Sequence, residues 1–285
     1  YYPRGYCKGV TKAIQAVKNA CADPSVKKPI YVLGYIVHNH HVIDELNEMG
    51  VITLDDLNKS RIDLIDEIDH GTVVLSAHGT DSLVKQKLIE RHLDVIDATC
   101  EDVEKTFELI KKHINLGYQI IYIGKSNHPE TNAALSISKD IRLVEHVEDI
   151  PEDLASPVFV TNQTTFSMIE IKEIIDRVIE LYPDTLISEE ICNATRLRQS
   201  AIIEQNIDVD LCYIVGDIRS NNTKNLAIIS EKLTHTKTKL IDSVNQINAL
   251  DLKGVSTVSV SSGASTPNRL TKEVIEYLKK FPDGK

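Results

Sequence analysis

Cys7, Cys100 and Cys192 stand 93 and 92 residues apart, and each precedes a segment with the apolar spacing of an amphipathic helix. A repeat of that length implies one αβ unit used three times. The chain is therefore read as three small lobes, residues 1–99, 100–191 and 192–285, although 285 residues alone would favour about two domains. If three such units surround an approximate threefold axis, equivalent thiolates meet at one point. They can then hold a metal centre with three protein ligands and one open position, where chemistry would occur.

Short apolar runs recur between the cysteines and end in small polar residues or histidine. They cover 30–37 before His38, 72–77 before His78, and 119–124 before Asn127 and His128. Later runs cover 158–160 before Thr164 and Thr165, 211–215 before Ser220 and Asn222, and 255–260 before Ser265. Their length and β-branched content read as buried strands, two per third, in an α/β fold with mainly parallel sheets. Ligands of such sheets sit beyond the carboxyl ends of the strands, where this chain places its polar side chains. Helical stripes follow each cysteine: Val10, Ile14, Val17 and Cys21; Val103, Phe107, Ile110 and Ile114; and a weaker one begun by Leu197 and Ala201.

Charge and cysteine usage exclude several classes of function. A net charge of −10 argues against nonspecific nucleic-acid or membrane-surface binding, so an anionic ligand needs a locally favourable pocket. No segment approaches the roughly 20 apolar residues of a membrane span. The chain opens Tyr1-Tyr2-Pro3-Arg4 with neither Met nor an apolar leader, so a cytosolic setting with a few residues missing in front is expected. Five widely spaced cysteines disfavour a disulfide framework and favour thiols kept for metal or redox chemistry. There is neither a GxxxxGK[ST] nor a credible GxGxxG, which argues against a nucleotide.

A thiolate at a helix N-terminus is stabilised by the positive end of the helix dipole, and all three periodic cysteines have that placement. Zinc sites usually bring two ligands from one turn, and no CxxC or HxxxH pair exists here. Three lone thiolates from distant segments suit an iron-sulfur cluster better, with one iron left open by the missing fourth cysteine. Cys21 and Cys212, on a helix stripe and inside a strand, are read as small hydrophobes.

His38, His78 and His128 each follow a strand and can donate hydrogen bonds to a phosphate. His40 and His41 are read as solvated, because adjacent side chains diverge. In His128-Pro129-Glu130 a carboxyl group stands next to a histidine, as a proton donor beside an anion requires. Asn162 to Thr165, Ser220-Asn221-Asn222 and Gly263-Ala264-Ser265 add neutral donors on turns. Together with the histidines they form the parts of a diphosphate cradle built without arginine.

These segments, in order, resemble the family of 4-hydroxy-3-methylbut-2-enyl diphosphate reductases. The resembling stretches are PRGYCKGV at Cys7, IVHN at His38, SAHG at His78, DATC at Cys100, NHPE at His128 and TNQTT at Thr164. EICNATRLRQ at Cys192, VGDIRSNNTKNLA at Ser220 and GASTP at Ser265 complete a match along nearly the whole chain. The resemblance implies a trefoil of three αβ lobes around a central iron-sulfur cluster. Cys7, Cys100 and Cys192 would ligate a [4Fe-4S] cluster with an open apical iron, whose loss would leave [3Fe-4S]. His38, His78, His128, Ser220, Asn222 and Ser265 would hold the substrate's diphosphate, with Asn221 and Thr165 beside them. Glu130 would be the relay acid, with His128 next to it, and Thr164 would orient the substrate hydroxyl. The implied reaction is reductive dehydroxylation to isopentenyl and dimethylallyl diphosphate, the last step of non-mevalonate isoprenoid synthesis. Electrons would come from an external ferredoxin or flavodoxin.

The chain departs from the family pattern at Glu101, where proline is usual, and at Thr131 to Ala133, where a further Glu-Gly is common. Asn193, Arg196, Asn221 and Lys224-Asn225 also depart. The rival readings are a non-catalytic iron-sulfur or redox-sensing protein, a zinc-stabilised binding module, and a diverged paralogue acting on another allylic diphosphate.

Overall fold

Apolar runs too short to be helices become the central strands of three parallel sheets in the computed structural model, which describes residues 2–56 and 58–281. The first sheet contains β1 (Ile30–Leu33), β2 (Ile52–Leu54), β3 (Thr72–Leu75) and β4 (Asp94–Asp97), ordered β2-β1-β3-β4. The second contains β5 (Gln119–Ile123), β6 (Arg142–Val144), β7 (Val158–Asn162) and β8 (Leu186–Ile187), ordered β6-β5-β7-β8. The third contains β9 (Leu211–Val215), β10 (Lys237–Ile241) and β11 (Val258–Ser262), ordered β10-β9-β11. Every pairing is parallel. Helices supply the crossovers that parallel pairing requires.

Around the first sheet these helices are α1 (Lys8–Ala22), α2 (His40–Glu48), α3 (Arg61–Ile65) and α4 (Ser82–Glu90). The next group is α5 (Glu101–Asn115), α6 (Pro129–Leu135) and α7 (Met168–Leu181), followed by α8 (Asn193–Gln205), α9 (Asn221–Thr234) and α10 (Asn268–Lys280). The chain divides into two compact units. One comprises the described parts of Tyr1–Lys8, His38–Val42 and Asn193–Lys285, with the third sheet; the other comprises Gly9–Val37 and Ile43–Cys192, with the first two.

The second sheet shows why its first strand is an unbroken apolar run. Ile121 and Ile123 of β5 join Val158, Val160 and the α7 residues Ile171 and Ile174 on one face. Ile120 and Tyr122 pack on the other with Ile110 of α5 and Ala134 of α6. A strand covered on both faces has no solvent side on which to place polar residues. Each fully buried side chain of this kind contributes about 1.5–3 kcal/mol. Leu33, Val73 and Leu75 play that part in the first sheet, and Leu211, Tyr213 and Val215 in the third.

The six expected strands are all present, with altered ends. The run 30–37 stops being a strand at Leu33, because Gly34 adopts a φ of +75° and turns the chain. The run 255–260 begins pairing only at Val258 and continues to Ser262, while β7 extends to Asn162. The helix after Cys192 differs more. Leu197, expected on its apolar stripe, is exposed, and the buried residues include Thr195, Arg198 and Gln199 beside Ala201 and Ile202. Cys212 lies in the core of β9, as its reading as a hydrophobe requires, and Cys21 is half-buried on α1.

Gly124 follows β5 at a point where the backbone passes close to two side chains. A methyl group there would lie 2.7 Å from Thr131 Oγ1 and 2.8 Å from Tyr122 Cε1. Gly124→Ala should therefore cost about 1–3 kcal/mol through overpacking. Urea unfolding should show a lower midpoint with an unchanged slope.

Candidate active site

In each sheet the chain runs from an inner strand out to an edge and returns on the inner strand's other side. The carboxyl ends of β1 and β3, β5 and β7, and β9 and β11 are therefore topological switch points, where ligands of open α/β sheets bind. A glycine follows the first strand of each pair. Gly34, Gly124 and Gly216 donate their amides to the carbonyls of Leu54, Val144 and Ile241 at 2.8, 3.1 and 2.8 Å. Four residues after these glycines stand His38, His128 and Ser220. Two residues beyond the returning strands, the carbonyls of Ala77, Thr164 and Ala264 accept the amides of Cys100, Cys192 and Cys7, each at 3.0 Å. The next residues are His78, Thr165 and Ser265.

The larger compact unit carries His78, Cys100, His128, Glu130, Thr164, Thr165 and Cys192. The rings of His78 and His128 meet edge to face with centroids 5.5 Å apart. His128 caps α6, its Nδ1 accepting the amide of Glu130 at 3.2 Å, and Pro129 suits the first helical position. This leaves the Glu130 carboxyl free of capping. It turns instead into the core, only 1% exposed, and accepts the Thr164 amide on Oε1 at 2.7 Å and the Thr164 hydroxyl on Oε2 at 2.9 Å. Tyr122 adds a longer bond from its hydroxyl to Oε1 at 3.4 Å. Burial pushes the carboxyl up to about 7; the Thr164 amide and hydroxyl and the Tyr122 phenol oppose the rise, and Asp102 adds to it. A carboxyl group so placed exchanges its proton near neutral pH, as a general acid must.

The smaller unit carries Cys7, His38, Ser220, Asn221, Asn222 and Ser265. Ser220 caps α9 through the Thr223 amide, placing Asn221 and Asn222 in the first turn. Asn222 accepts the Ala264 amide on Oδ1 at 2.9 Å and donates to Thr195 Oγ1 at 3.3 Å, fixing its amide orientation. The Ser265 hydroxyl donates to the His38 carbonyl at 2.9 Å. Ser220, Asn222 and Ser265 are buried, so their polar atoms are held in place before any anion arrives. This preorganisation reduces the cost of binding.

The three periodic cysteines are half-buried and outside any disulfide, and each immediately precedes a helix, α1, α5 or α8. Their amides are committed to the strand-end carbonyls, which leaves the thiols at helix N-termini. Arg198 anchors the backbone before Cys7, since its buried guanidinium donates to the Gly5 carbonyl at 2.6 Å. After Cys100 the first turn of α5 carries Glu101, Asp102 and Glu104. Such thiols have the donor chemistry that an iron-sulfur centre requires.

His40 and His41 depart from the sequence expectation. They are half-buried, and their rings meet with centroids 4.1 Å apart. Divergence of neighbouring side chains holds within a regular helix, whereas these two open α2, where Asp217 binds His40 through its amide at 2.9 Å and its Nδ1 at 3.1 Å. Burial pushes the Asp217 carboxyl up, but bonds from the Arg219 and His40 amides, the His40 ring and the nearby Arg219 charge outweigh it and hold it low. Arg198, Asp217 and Tyr122 are site-bordering residues that the apolar pattern does not reveal. The glycine period at 34, 124 and 216 is the one signal that groups His38, His128 and Ser220 as equivalent positions.

Raising a carboxyl's pKa on folding binds its proton more tightly in the native state, so Glu130 should stabilise the fold fully below its ordinary value of 4.5 and progressively less up to about 7. The unfolding free energy of wild type relative to Glu130→Gln should therefore fall as pH rises across that window and level off above it. Urea titrations at several pH values measure this difference, and a difference that rises with pH would contradict the buried protonated carboxyl.

The family model described as LytB protein matches residues 1–279. A 4-hydroxy-3-methylbut-2-enyl diphosphate reductase of Anoxybacillus flavithermus is 45% identical over 282 residues, covering 98% of this chain and 89% of the relative. One of the same name from Symbiobacterium thermophilum is 45% identical over 283 residues, covering 98% of this chain and 95% of that protein. Among solved structures, the E-1-hydroxy-2-methyl-but-2-enyl-4-diphosphate reductase of Plasmodium falciparum superposes with a TM-score of 0.90 at 32% identity, covering 99% of this chain and 87% of that one. An (E)-4-hydroxy-3-methyl-but-2-enyl diphosphate reductase, described as the terminal enzyme of the non-mevalonate pathway, gives 0.69 at 29% identity over 98% of this chain and 97% of its own. With strand-end cysteines, a preorganised set of neutral donors and a buried near-neutral acid all within a match of this extent, the chain belongs to the LytB protein family.

Proposed function

We propose that this chain reduces (E)-4-hydroxy-3-methylbut-2-enyl diphosphate to isopentenyl and dimethylallyl diphosphate, the terminal step of non-mevalonate isoprenoid synthesis. The observation that carries the reading is the Glu130–Thr164 pair: a buried carboxyl near neutral pKa bonded at both oxygens to a residue whose carbonyl accepts the Cys192 amide. It supports a proton donor one residue away from a cluster ligand.

In this reading three αβ lobes, residues 1–99, 100–191 and 192–285, each contribute one thiolate, from Cys7, Cys100 and Cys192. A [4Fe-4S] cluster held by them would supply an open Lewis-acidic iron and a path for two electrons. His38, His78, His128, Ser220, Asn221, Asn222 and Ser265 bind the diphosphate, with Thr165 at the equivalent strand-end position. Thr164 orients the substrate hydroxyl, and Glu130 holds the proton that leaves with it as water. The carbon–oxygen bond breaks, the allylic system takes up two electrons, and a second proton at one of its ends gives either product. Histidine rather than arginine in the cradle allows the bound anion's charge to be balanced by protonation. No motif of the sequence resembles a nicotinamide or flavin site, so an external ferredoxin or flavodoxin is the proposed donor, in the cytoplasm. No helix among the described residues is long and apolar enough to cross a membrane.

Anaerobically prepared protein should contain iron and acid-labile sulfide and consume the diphosphate substrate only with a reduced one-electron donor. Cys100→Ser should lose cluster and turnover together. Glu130→Gln should keep the iron and sulfide but lose about 10²-fold or more in turnover. Near-normal turnover in that variant would remove Glu130 from the mechanism.

A further inference from the structure

Tyr122 is a large residue on the inner side of β5 and is fully buried, with its hydroxyl directed at a functional carboxyl rather than at solvent. Its ring packs with Ile110, Ile120, Ala134 and Phe159. A buried phenol must place its proton on some acceptor. Here the acceptor is Glu130 Oε1, at 3.4 Å, and the Thr131 side chain bonds the same phenol. Gly124 makes room for the pair, since a Cβ there would collide with both side chains.

The consequence concerns which oxygen of Glu130 carries the proton. Among the described residues, Oε1 faces two donors, the Thr164 amide at 2.7 Å and the Tyr122 hydroxyl, whereas Oε2 faces the Thr164 hydroxyl at 2.9 Å. An amide can only donate, so a proton placed on Oε1 would point at another hydrogen. A hydroxyl can reverse its role and accept. We infer that Tyr122 is a positioning residue for Glu130: with the Thr164 amide it holds Oε1 as the carbonyl oxygen and leaves the acid proton on Oε2, facing the Thr164 hydroxyl. The proton then has one exit, through Thr164 Oγ1, toward the group that Thr164 orients. The inference rests on Glu130 acting as the proton donor only for its effect on turnover, because the positioning itself is a property of the buried carboxyl.

Tyr122 also bears on when the acid releases its proton. Donors to the ionised carboxylate lower its pKa, so losing the phenol raises it. The other titratable groups facing Glu130 are Asp102 from α5 and His128, which accepts the Glu130 amide, with the His78 ring edge beyond it. None of these is altered by Tyr122→Phe, which keeps the ring and its packing.

The test uses the cluster-containing enzyme in two measurements. The first follows kcat against pH with a reduced one-electron donor. The second follows the protonated carboxyl stretch of Glu130 by isotope-edited infrared titration, assigned by its absence in Glu130→Gln. Tyr122→Phe should retain wild-type iron and sulfide, and should move both the alkaline limb of kcat and the carboxyl midpoint upward by roughly half to one pH unit. An unchanged carboxyl midpoint would overturn the positioning role. A shifted midpoint with an unmoved alkaline limb would uphold it and instead reject Glu130 as the donor that limits turnover.

Discussion

Every functional element hangs on how three parallel sheets end. A parallel strand leaves its last carbonyl and amide without a neighbour, and buried backbone groups must find partners. In this chain the edge strand's last carbonyl is taken by a glycine amide, and the loop after the returning strand is taken by a cysteine amide. The second bond delivers a thiol to a helix N-terminus in the same step. Satisfying the backbone and placing the sulfur are therefore one structural event, repeated at Cys7, Cys100 and Cys192. For the proposed cluster ligands it would also explain why isolated cysteines could suffice where a zinc site would need pairs. The sheet end performs the positioning that a second ligand in the same turn would otherwise provide.

The same geometry separates two kinds of polar group. The donors proposed for the diphosphate are fixed by caps and short backbone bonds, as with Ser220 on α9 and Asn222 between Ala264 and Thr195. Ser220 and Asn222 are neutral and buried, and their orientation is set in advance. Glu130 is treated differently, because its helix is capped by His128 and its carboxyl is turned inward, where burial dominates its ionisation. One His-Pro-Glu sequence thus yields a helix-capping imidazole, proposed as an anion donor, and a near-neutral acid two residues on. What divides their roles is environment: a ring at the helix cap against a side chain in the core.

Much of this was legible in the amino-acid order, and the exceptions have physical causes. Central strands announced themselves because both faces are covered, as for β5 and β9. Edge strands such as β4, where Asp94 and Val95 are exposed, have no such apolar run and are stabilised by pairing with β3. The helix after Cys192 misled because its inner face is polar. Arg198 and Gln199 are buried there for hydrogen bonding, so hydrophobic spacing points the wrong way. The cysteine period and the histidines at strand ends located the candidate site, whereas Tyr122 read simply as another core aromatic. Nothing in QIIYI distinguishes a phenol aimed at a carboxyl from one that fills space.

The segment around Cys7 is bound to residues some 190 to 260 positions later. Gly5 donates to Ser262, Cys7 donates to the Ala264 carbonyl, and Arg198 donates to Gly5. A ribosome makes the first residues long before their partners in β11 and α8 exist, so Cys7 must wait exposed while some 250 further residues are translated. Seating of the Cys7 segment consequently waits until β11 and the residues just after it have been made, and a chain truncated before Ser262 would lack the backbone that holds it.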